Sequence, residues 1–128
     1  MKYILFNEYN REGNMKDFIK VMKALSDPNR VKILKMLQHK LMCVCELQEA
    51  LRLSQSSVSK HLKILEEGGL VDFKKDGLWV NYYLADGSKS PYVSSLMGNL
   101  RHWLDEDPEI AEIMKRLPAI RREQICGK

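Results

Sequence analysis

Apolar positions recur at helical spacing along much of this chain. A first amphipathic helix is predicted from Met15, because the apolar residues that follow it keep the i, i+3, i+4, i+7 spacing of one helix face. These residues are Phe18, Val21, Met22 and Leu25. A second helix is predicted to start at Asp27-Pro28, since Asp is a favoured N-cap and Pro suits the first helical position. Its expected buried stripe is Val31, Leu34, Leu37 and Leu41.

Two more helices are predicted on either side of a tight turn. The third spans about Val44 to Leu51, and Arg52-Leu53 is the expected turn. Ser54 is the expected N-cap of the fourth helix, which ends at Gly68-Gly69 because glycine accepts the left-handed backbone common at helix ends. The inward face of this fourth helix consists of Val58, Leu62 and Leu65.

A β-hairpin is predicted next. Residues 70–74 and 78–84 are rich in β-branched and aromatic side chains, and Lys75-Asp76-Gly77 between them is typical of a hairpin turn. The longest apolar stripe follows and keeps helical spacing over about three turns. It contains Val93, Leu96, Met97, Leu100 and Leu104. A last short helix is expected from Asp107-Pro108, and a polar tail after Pro118.

This order of elements is that of a winged helix-turn-helix, mainly α with a small β-hairpin. We expect an N-terminal arm (1–14), a winged helix-turn-helix DNA-binding and dimerisation domain (15–117) and a C-terminal tail (118–128). The stripe of the fifth helix, together with the first helix, is a candidate dimer contact. It could equally be part of the core of one chain, and the sequence does not separate the two.

Composition limits the class of protein. The chain has 128 residues, 45% hydrophobic and 30% charged, as expected for one globular domain. No apolar run is long enough for a membrane span or a signal peptide, so we expect a cytoplasmic protein without membrane contact. The net charge is +4 and the basic residues concentrate between Met15 and Lys40. This charge fits nucleic acid on one face, or simply solvated helices.

The fourth helix carries the residues suited to reading DNA. Gln55 and Ser56 stand at its start, the end that a recognition helix inserts into the major groove. Gln pairs with adenine, whereas Lys suits phosphates or guanine. The alternative is an ordinary solvent-facing helix, and His61 lies near the inner edge, where packing is expected. The candidates for DNA contact are Gln55, Ser56, Ser57, Ser59, Lys60, His61 and Lys63, with Lys74 and Lys75 on the hairpin.

Two thiols precede this region. The chain has 3 cysteines, an odd number that argues for free thiols or a metal site rather than a disulfide framework. A regular helix turns residues i and i+2 about 200° apart. Cys43 and Cys45 can therefore grip one ion only if they lie before the third helix or unwind its first turn. Thiolates select soft ions. The alternative is that Cys43 packs in the core.

Several segments resemble one known family. Residues 24–34 (ALSDPNRVKIL), residues 53–65 (LSQSSVSKHLKIL) with the following Gly68-Gly69-Leu70-Val71, and the strand end Tyr82-Tyr83-Leu84 are similar to the ArsR/SmtB metalloregulatory repressors. Cys43-Val44-Cys45 resembles the Cys-Val-Cys segment of arsenite-responsive members. The resemblance implies a homodimeric repressor, needing no cofactor to bind DNA, that leaves its operator when As(III) or Sb(III) binds.

The resemblance also implies a third thiolate. Trivalent arsenic in the family is held by three thiolates, often with a third Cys three residues after the second, but here that position is Gln48. Only Cys126 remains, from the same chain or across a dimer, or it is an incidental thiol. The zinc-sensing branch uses Asp and His on the long dimer helix. His102 lacks that Asp, so a zinc site of this type is not expected, and His39 and His102 are predicted on the surface.

Other functions of the cysteine thiols remain possible on the sequence alone. They could sense cadmium, lead or zinc, or become oxidised to sulfenic acid or a disulfide. A thiol redox enzyme is a further alternative, supported only by the Cys-X-Cys pair. The sequence contains no phosphate loop, nucleophile elbow or suggestive pair of carboxylates. No catalytic residue is therefore predicted, and the protein is not expected to be an enzyme.

Overall fold

The computed structural model describes residues 14–125, which form helices around one antiparallel hairpin. In chain order the elements are α1 (Met15–Leu25), α2 (Pro28–Leu37), α3 (Val44–Leu51), α4 (Gln55–Glu67), β1 (Val71–Asp76), β2 (Trp79–Leu84), α5 (Pro91–Leu100), α6 (Pro108–Arg116), a 3₁₀ turn (Leu117–Ala119) and α7 (Arg122–Ile125). The predicted class, mainly α with a small β-hairpin, is confirmed. Within the described range, no helix is long and apolar enough to cross a bilayer.

Side-chain caps begin the helices where the sequence predicts them. The Asp27 carboxylate accepts the N–H groups of Asn29 at 2.8 Å and Arg30 at 3.2 Å, and Pro28 is the first residue of α2. The Ser54 hydroxyl accepts the third N–H of α4 at 3.2 Å. Each cap satisfies backbone donors that have no partner inside the helix, which fixes the first turn.

The hairpin turn lies further along the chain than predicted. Strands β1 and β2 pair from Val71↔Leu84 to Asp76↔Trp79, so the turn consists of Gly77-Leu78 rather than residues 75–77. A two-residue hairpin turn requires positive φ at its first central position, and Gly77 provides it with φ +66°. Lys75 and Asp76 therefore belong to β1.

The core gathers side chains from the helices and the hairpin. Val58, Leu62 and Leu65 of α4 are fully buried, as predicted. Helix α2 is central, because it packs against α1, α4, α6 and β2 and buries every residue from 33 to 37. Its predicted stripe is wrong at one end. The helix stops at Leu37, and Leu41 lies beyond it with 48% of its surface exposed.

Helix α5 is shorter than its apolar stripe predicts. It ends at Leu100, and Leu104 is exposed in a turn with φ +67°. The carbonyls at this end bond to Lys35, a buried residue of α2 whose ammonium donates to the carbonyls of Leu100 at 2.8 Å and Trp103 at 2.7 Å. Its third hydrogen bond, to Asp105 at 2.7 Å, lowers the pKa of that carboxyl. These three bonds stabilise the turn that ends the helix.

Residues 118–125 pack on the domain, although the sequence predicts a polar tail from Pro118. Ile120 is buried, and the Lys40 ammonium donates to the carbonyls of Leu117 at 3.3 Å and Ile120 at 2.7 Å. Helix α7 then lies against α3. The arm predicted at 1–14 falls outside the described residues except for Asn14, which caps α1.

Candidate nucleic-acid interface and thiol site

Helices α3 and α4 form the compact pair predicted from the sequence. Arg52 ends α3 in the left-handed conformation, φ +58°, and its N–H bonds to the carbonyl of Gln48 at 2.7 Å. The chain therefore reverses within a few residues, and the apolar face of α4 turns inward. The opposite face exposes most of the predicted DNA contacts. Gln55, Ser56, Ser59, Lys60 and Lys63 are exposed, and Ser57 and His61 are half-buried.

The start of α4 is the more polar end of this surface. The Ser54 and Ser56 hydroxyl oxygens lie 3.2 Å apart, and Gln55 follows the cap directly. Unpaired backbone N–H groups and the helix dipole make such an end attractive to phosphate. The chemistry here therefore suits a DNA backbone as well as base edges.

Arg30 of α2 joins helix α4 to α1, a contact that was not predicted from the sequence. One terminal nitrogen of Arg30 lies 3.2 Å from His61 Nδ1. The same guanidinium donates to the α1 carbonyls of Ala24 at 2.8 Å and Lys23 at 3.1 Å. His61 is thus a packed side chain at the edge of the exposed face of α4. The sequence offered one signal for this contact, which is that Arg30 follows soon after the end of α1.

The hairpin, here called the wing (residues 71–84), carries the other predicted contacts. Lys74 and Lys75 are exposed on β1, and Leu78 at the tip is 91% exposed. The ring of Tyr82 packs against Phe73 with centroids 5.6 Å apart. Burial, and then the nearby charge of Glu66, raise the pKa of Tyr82. The two lysines therefore project from a base that is itself packed.

The thiols lie on both sides of the start of α3. Cys43 is the N-cap, with an extended backbone, and Cys45 is the second residue of the helix. The backbone before Cys43 is fixed by Met42, which exchanges hydrogen bonds with Tyr82 of β2 at 3.2 Å and 2.8 Å. The Glu46 carboxylate accepts the Cys43 N–H at 3.0 Å. The thiol segment is thus tied to the wing by backbone hydrogen bonds.

This geometry gives two thiols in different surroundings. Cys43 is 3% exposed and Cys45 is half-buried. Cys43 meets the requirement of lying before the helix, whereas Cys45 does not, so joint ligation requires the first turn of α3 to change. Residues 14–125 contain no group of three or more His, Cys, Asp or Glu able to hold a metal. His39 and His102 are exposed. Cys126 lies outside the described residues.

Helix α7 connects the thiol helix to the wing. Its described residues, Arg122–Ile125, pack on α3. Arg122 projects from it toward β2. Its guanidinium donates to Asn81 Oδ1 at 2.6 Å and to Asp76 Oδ2 at 3.3 Å. The guanidinium carbon lies 4.0 Å from the centroid of the Trp79 ring. No sequence pattern singled out Arg122.

Comparisons with known proteins agree with this arrangement. The family described as "Bacterial regulatory protein, arsR family" matches residues 27–72. An uncharacterized HTH-type transcriptional regulator of Methanocaldococcus jannaschii is 42% identical over 67 residues, 52% of this chain and 75% of the relative. The arsenical resistance operon repressor of Escherichia coli (strain K12) is 33% identical over 102 residues, 77% of this chain and 83% of the relative. A CadC homolog of Staphylococcus aureus, a cadmium resistance regulatory protein, is 39% identical over 74 residues, 57% of this chain and 61% of the relative.

Solved structures show the same fold. Reduced HlyU from Vibrio cholerae is 32% identical with a TM-score of 0.60, covering 77% of this chain and 97% of that chain. Mb0332 from Mycobacterium bovis, described as a homodimeric winged helix-turn-helix DNA-binding domain, is 25% identical with a TM-score of 0.59 and covers 72% of this chain and 82% of that chain. The winged helix-turn-helix predicted from the sequence is confirmed.

Proposed function

This chain belongs to the arsR family of bacterial regulatory proteins, and from that premise we propose that it is a repressor that leaves its operator when trivalent arsenic or antimony binds its cysteine thiolates. One observation carries the proposal. The Cys43/Cys45 pair stands at the start of α3, one helix and one tight turn before the exposed face of α4. A ligand that reshapes the first turn of α3 acts directly on the helix that supports α4.

The operator is double-stranded DNA, read by α4 in the major groove. Gln55 and Ser56 at the start of the helix reach base edges, and Lys60 and Lys63 meet phosphates or guanine. Lys74 and Lys75 of the wing extend the contact along the backbone. The support for this assignment is that all six side chains are exposed on the α4 and wing surfaces. Ser57, Ser59 and His61 lie on or beside the same face.

The partner in solution is a second copy of this chain. Met15, Phe18 and Ile19 of α1 are 73%, 36% and 41% exposed and share one helix face. Phe18 meets Tyr92 of α5 edge to face at 5.1 Å, so α1 and α5 present a continuous apolar surface. Val93 belongs to the core of its own chain. The homodimeric Mycobacterium bovis neighbour supports a dimer, which two operator half-sites also require.

The inducer is a soft, thiophilic ion. Cys43 and Cys45 supply two thiolates, and Cys126 is proposed as the third. Support for Cys126 comes from the described residues of α7, Arg122–Ile125, which precede it in sequence and pack on α3, the helix at whose start the other two thiols lie. The E. coli relative, named for arsenical resistance, points to arsenic.

Release requires that the inducer bind the DNA-incompetent form more tightly. Ligation at Cys43 pulls on a backbone whose neighbour Met42 is hydrogen-bonded to Tyr82 in the wing. The same ligation distorts the first turn of α3. Both changes move DNA-contacting elements, so inducer and operator compete through the conformation of one rigid unit.

The test is operator release followed by fluorescence anisotropy, with a DNA duplex selected for binding from random sequence. Arsenite is titrated into the wild type and the variants Cys43→Ser, Cys45→Ser and Cys126→Ser. We expect arsenite to weaken DNA binding of the wild type at least about tenfold, a coupling of roughly 1.4 kcal/mol. The first two variants should bind DNA normally and lose the response. Cys126→Ser should need more arsenite for the same release.

Two outcomes contradict the proposal. Either arsenite fails to release DNA from the reduced wild type, or release persists when Cys43 and Cys45 are both replaced by Ser. If Cys126→Ser leaves the arsenite response unchanged, only the assignment of Cys126 as the third ligand is contradicted.

A second candidate keeps the repressor and changes the signal. The Staphylococcus aureus relative is named for cadmium, and one neighbour is described as reduced HlyU, so cadmium, lead or zinc and thiol oxidation are the alternatives. Cadmium titration tests the first alternative. Release by peroxide in metal-free buffer, reversed by a reductant, supports oxidation of Cys43 and Cys45.

A further inference from the structure

We infer that Arg122 is a positioning residue that holds the wing in its DNA-binding orientation and transmits inducer binding at the thiol helix to the wing. The transmission step rests on the proposed function, whereas the positioning step does not. The inference is carried by the place of α7, which contacts α3 on one side and reaches β2 through one side chain on the other.

The contact is built around a buried acceptor. Asn81 is 5% exposed, and its carbonyl oxygen accepts the shortest hydrogen bond of Arg122, at 2.6 Å. The second bond goes to the exposed end of β1, at Asp76. Because Asp76 and Trp79 flank the turn of the hairpin, one guanidinium spans the base of the wing tip. It therefore restrains the angle at which Lys74 and Lys75 project.

The chemistry requires arginine. A planar guanidinium donates two hydrogen bonds in a fixed fork and stacks on an aromatic ring at the same time. Lysine keeps the charge but has neither the fork nor the flat face. The stacking over Trp79 at 4.0 Å also provides a spectroscopic signature, because indole emission responds to a cation on the ring.

The described residues of α7, Arg122–Ile125, contact α3 on one side and β2 through Arg122 on the other. A change at either side is therefore expected to shift them. Ligation of Cys43 and Cys45 changes the α3 side and so alters the hold of Arg122 on the wing.

The experiment uses the full chain in a Trp103→Phe background. Of the 2 tryptophans of the chain, Trp79 alone then remains. Arg122→Ala and Arg122→Lys are compared with Arg121→Ala, the exposed neighbour whose loss removes the same charge. DNA affinity is measured by anisotropy without inducer. Arsenite is then added, and Trp79 emission, the near-ultraviolet absorption of arsenic–thiolate bonds and DNA release are recorded together.

Without inducer, Arg122→Ala should bind DNA at least fivefold more weakly than Arg121→Ala, and Arg122→Lys should fall between them. Trp79 emission should change in both Arg122 variants and not in Arg121→Ala. Equal DNA affinity in Arg122→Ala and Arg121→Ala overturns the positioning role. If Arg122→Ala does not fold, Asp76→Asn replaces it and is expected to shift Trp79 emission, and an unshifted spectrum then overturns the role.

With arsenite, the absorption of arsenic–thiolate bonds should be the same in all variants, while release should drop from at least tenfold to below threefold in Arg122→Ala. Full release in Arg122→Ala overturns the transmission step and leaves the proposed function standing. If arsenite neither absorbs nor releases DNA in the wild-type background, the proposed inducer fails, and the transmission step fails with it. The positioning role is judged in that case by the inducer-free measurements.

Discussion

At the scale of single residues, long cationic side chains bond to carbonyls near the ends of elements and join one element to another. Lys35 bonds to the carbonyl of Leu100 at the end of α5, Lys40 bonds to carbonyls after α6, and Arg30 contacts both α1 and α4. Each bonds to backbone carbonyls, including those left unpaired where a helix ends. Lys35 is the most buried of these cations, 1% exposed, and its three donors are all used.

Replacing Lys35 tests this arrangement. Lys35→Met keeps much of the packed volume but leaves the carbonyls of Leu100 and Trp103 without their donor, so the free energy of unfolding should fall by roughly 2–4 kcal/mol. Urea denaturation followed by circular dichroism measures the change. Lys32→Met is the matched control, since Lys32 pairs with the exposed Glu109 and should cost about 0–1 kcal/mol. Equal losses in the two variants would contradict the capping role of Lys35.

At the scale of elements, α4 is the segment in which sequence pattern and structure agree most closely. Its cap at Ser54, its buried face and its end before Gly69 follow directly from residues within or next to the helix. Such signals are local, so they do not depend on the tertiary contacts of the rest of the chain. The role of its outer face in reading DNA stays a prediction, and α4 offers the most direct test.

Lys60→Ala should weaken binding to a selected duplex by roughly 1–3 kcal/mol if the ammonium meets a base edge. A purely phosphate contact should instead lower the slope of log affinity against log salt by about one unit. Gln55→Ala should relax the preference at one base pair. The control is Lys115→Ala, an exposed lysine on α6 that loses the same charge. Unchanged affinity in both Lys60→Ala and Gln55→Ala would show that another face of α4 meets DNA.

At the scale of the whole molecule, one unit carries the proposed recognition helix α4, the wing, the thiols and the proposed dimer face. The thiol segment bonds to β2 through Met42, and α7 joins α3 to the same strand through Arg122. Elements far apart in sequence are therefore directly bonded to one another, and the proposed release mechanism depends on these bonds. The apolar face of α1 is the surface by which two such units would be set at a fixed spacing.

Ile19→Glu should dissociate the proposed dimer, because it places a charge in the centre of the exposed α1 face. Sedimentation equilibrium should show a monomer, and affinity for a two-half-site duplex should fall at least about tenfold, or roughly 1.4 kcal/mol. Lys20→Glu, on the next exposed position, controls for the added negative charge. A dimer that survives Ile19→Glu would place the partner surface elsewhere.

The sequence by itself determined the helices through α4, the hairpin, the caps and the family. These features depend on apolar periodicity and on side chains a few residues from the groups they cap. They can therefore be predicted from the sequence. The position of Cys43 directly before α3 also followed from the predicted bounds of that helix, whereas ligation by Cys43 and Cys45 stays a prediction.

Only the tertiary structure decided where α5 ends, that residues 118–125 pack, and that α7 stands between the thiols and the wing. Lys35 bonds to a carbonyl 65 positions away, and Arg122 to an amide 41 positions away. Neither contact produces a periodic sequence pattern. A long cationic side chain can point to water or to a buried carbonyl, and the sequence does not distinguish the two. Burial and partners exist only once the chain is folded.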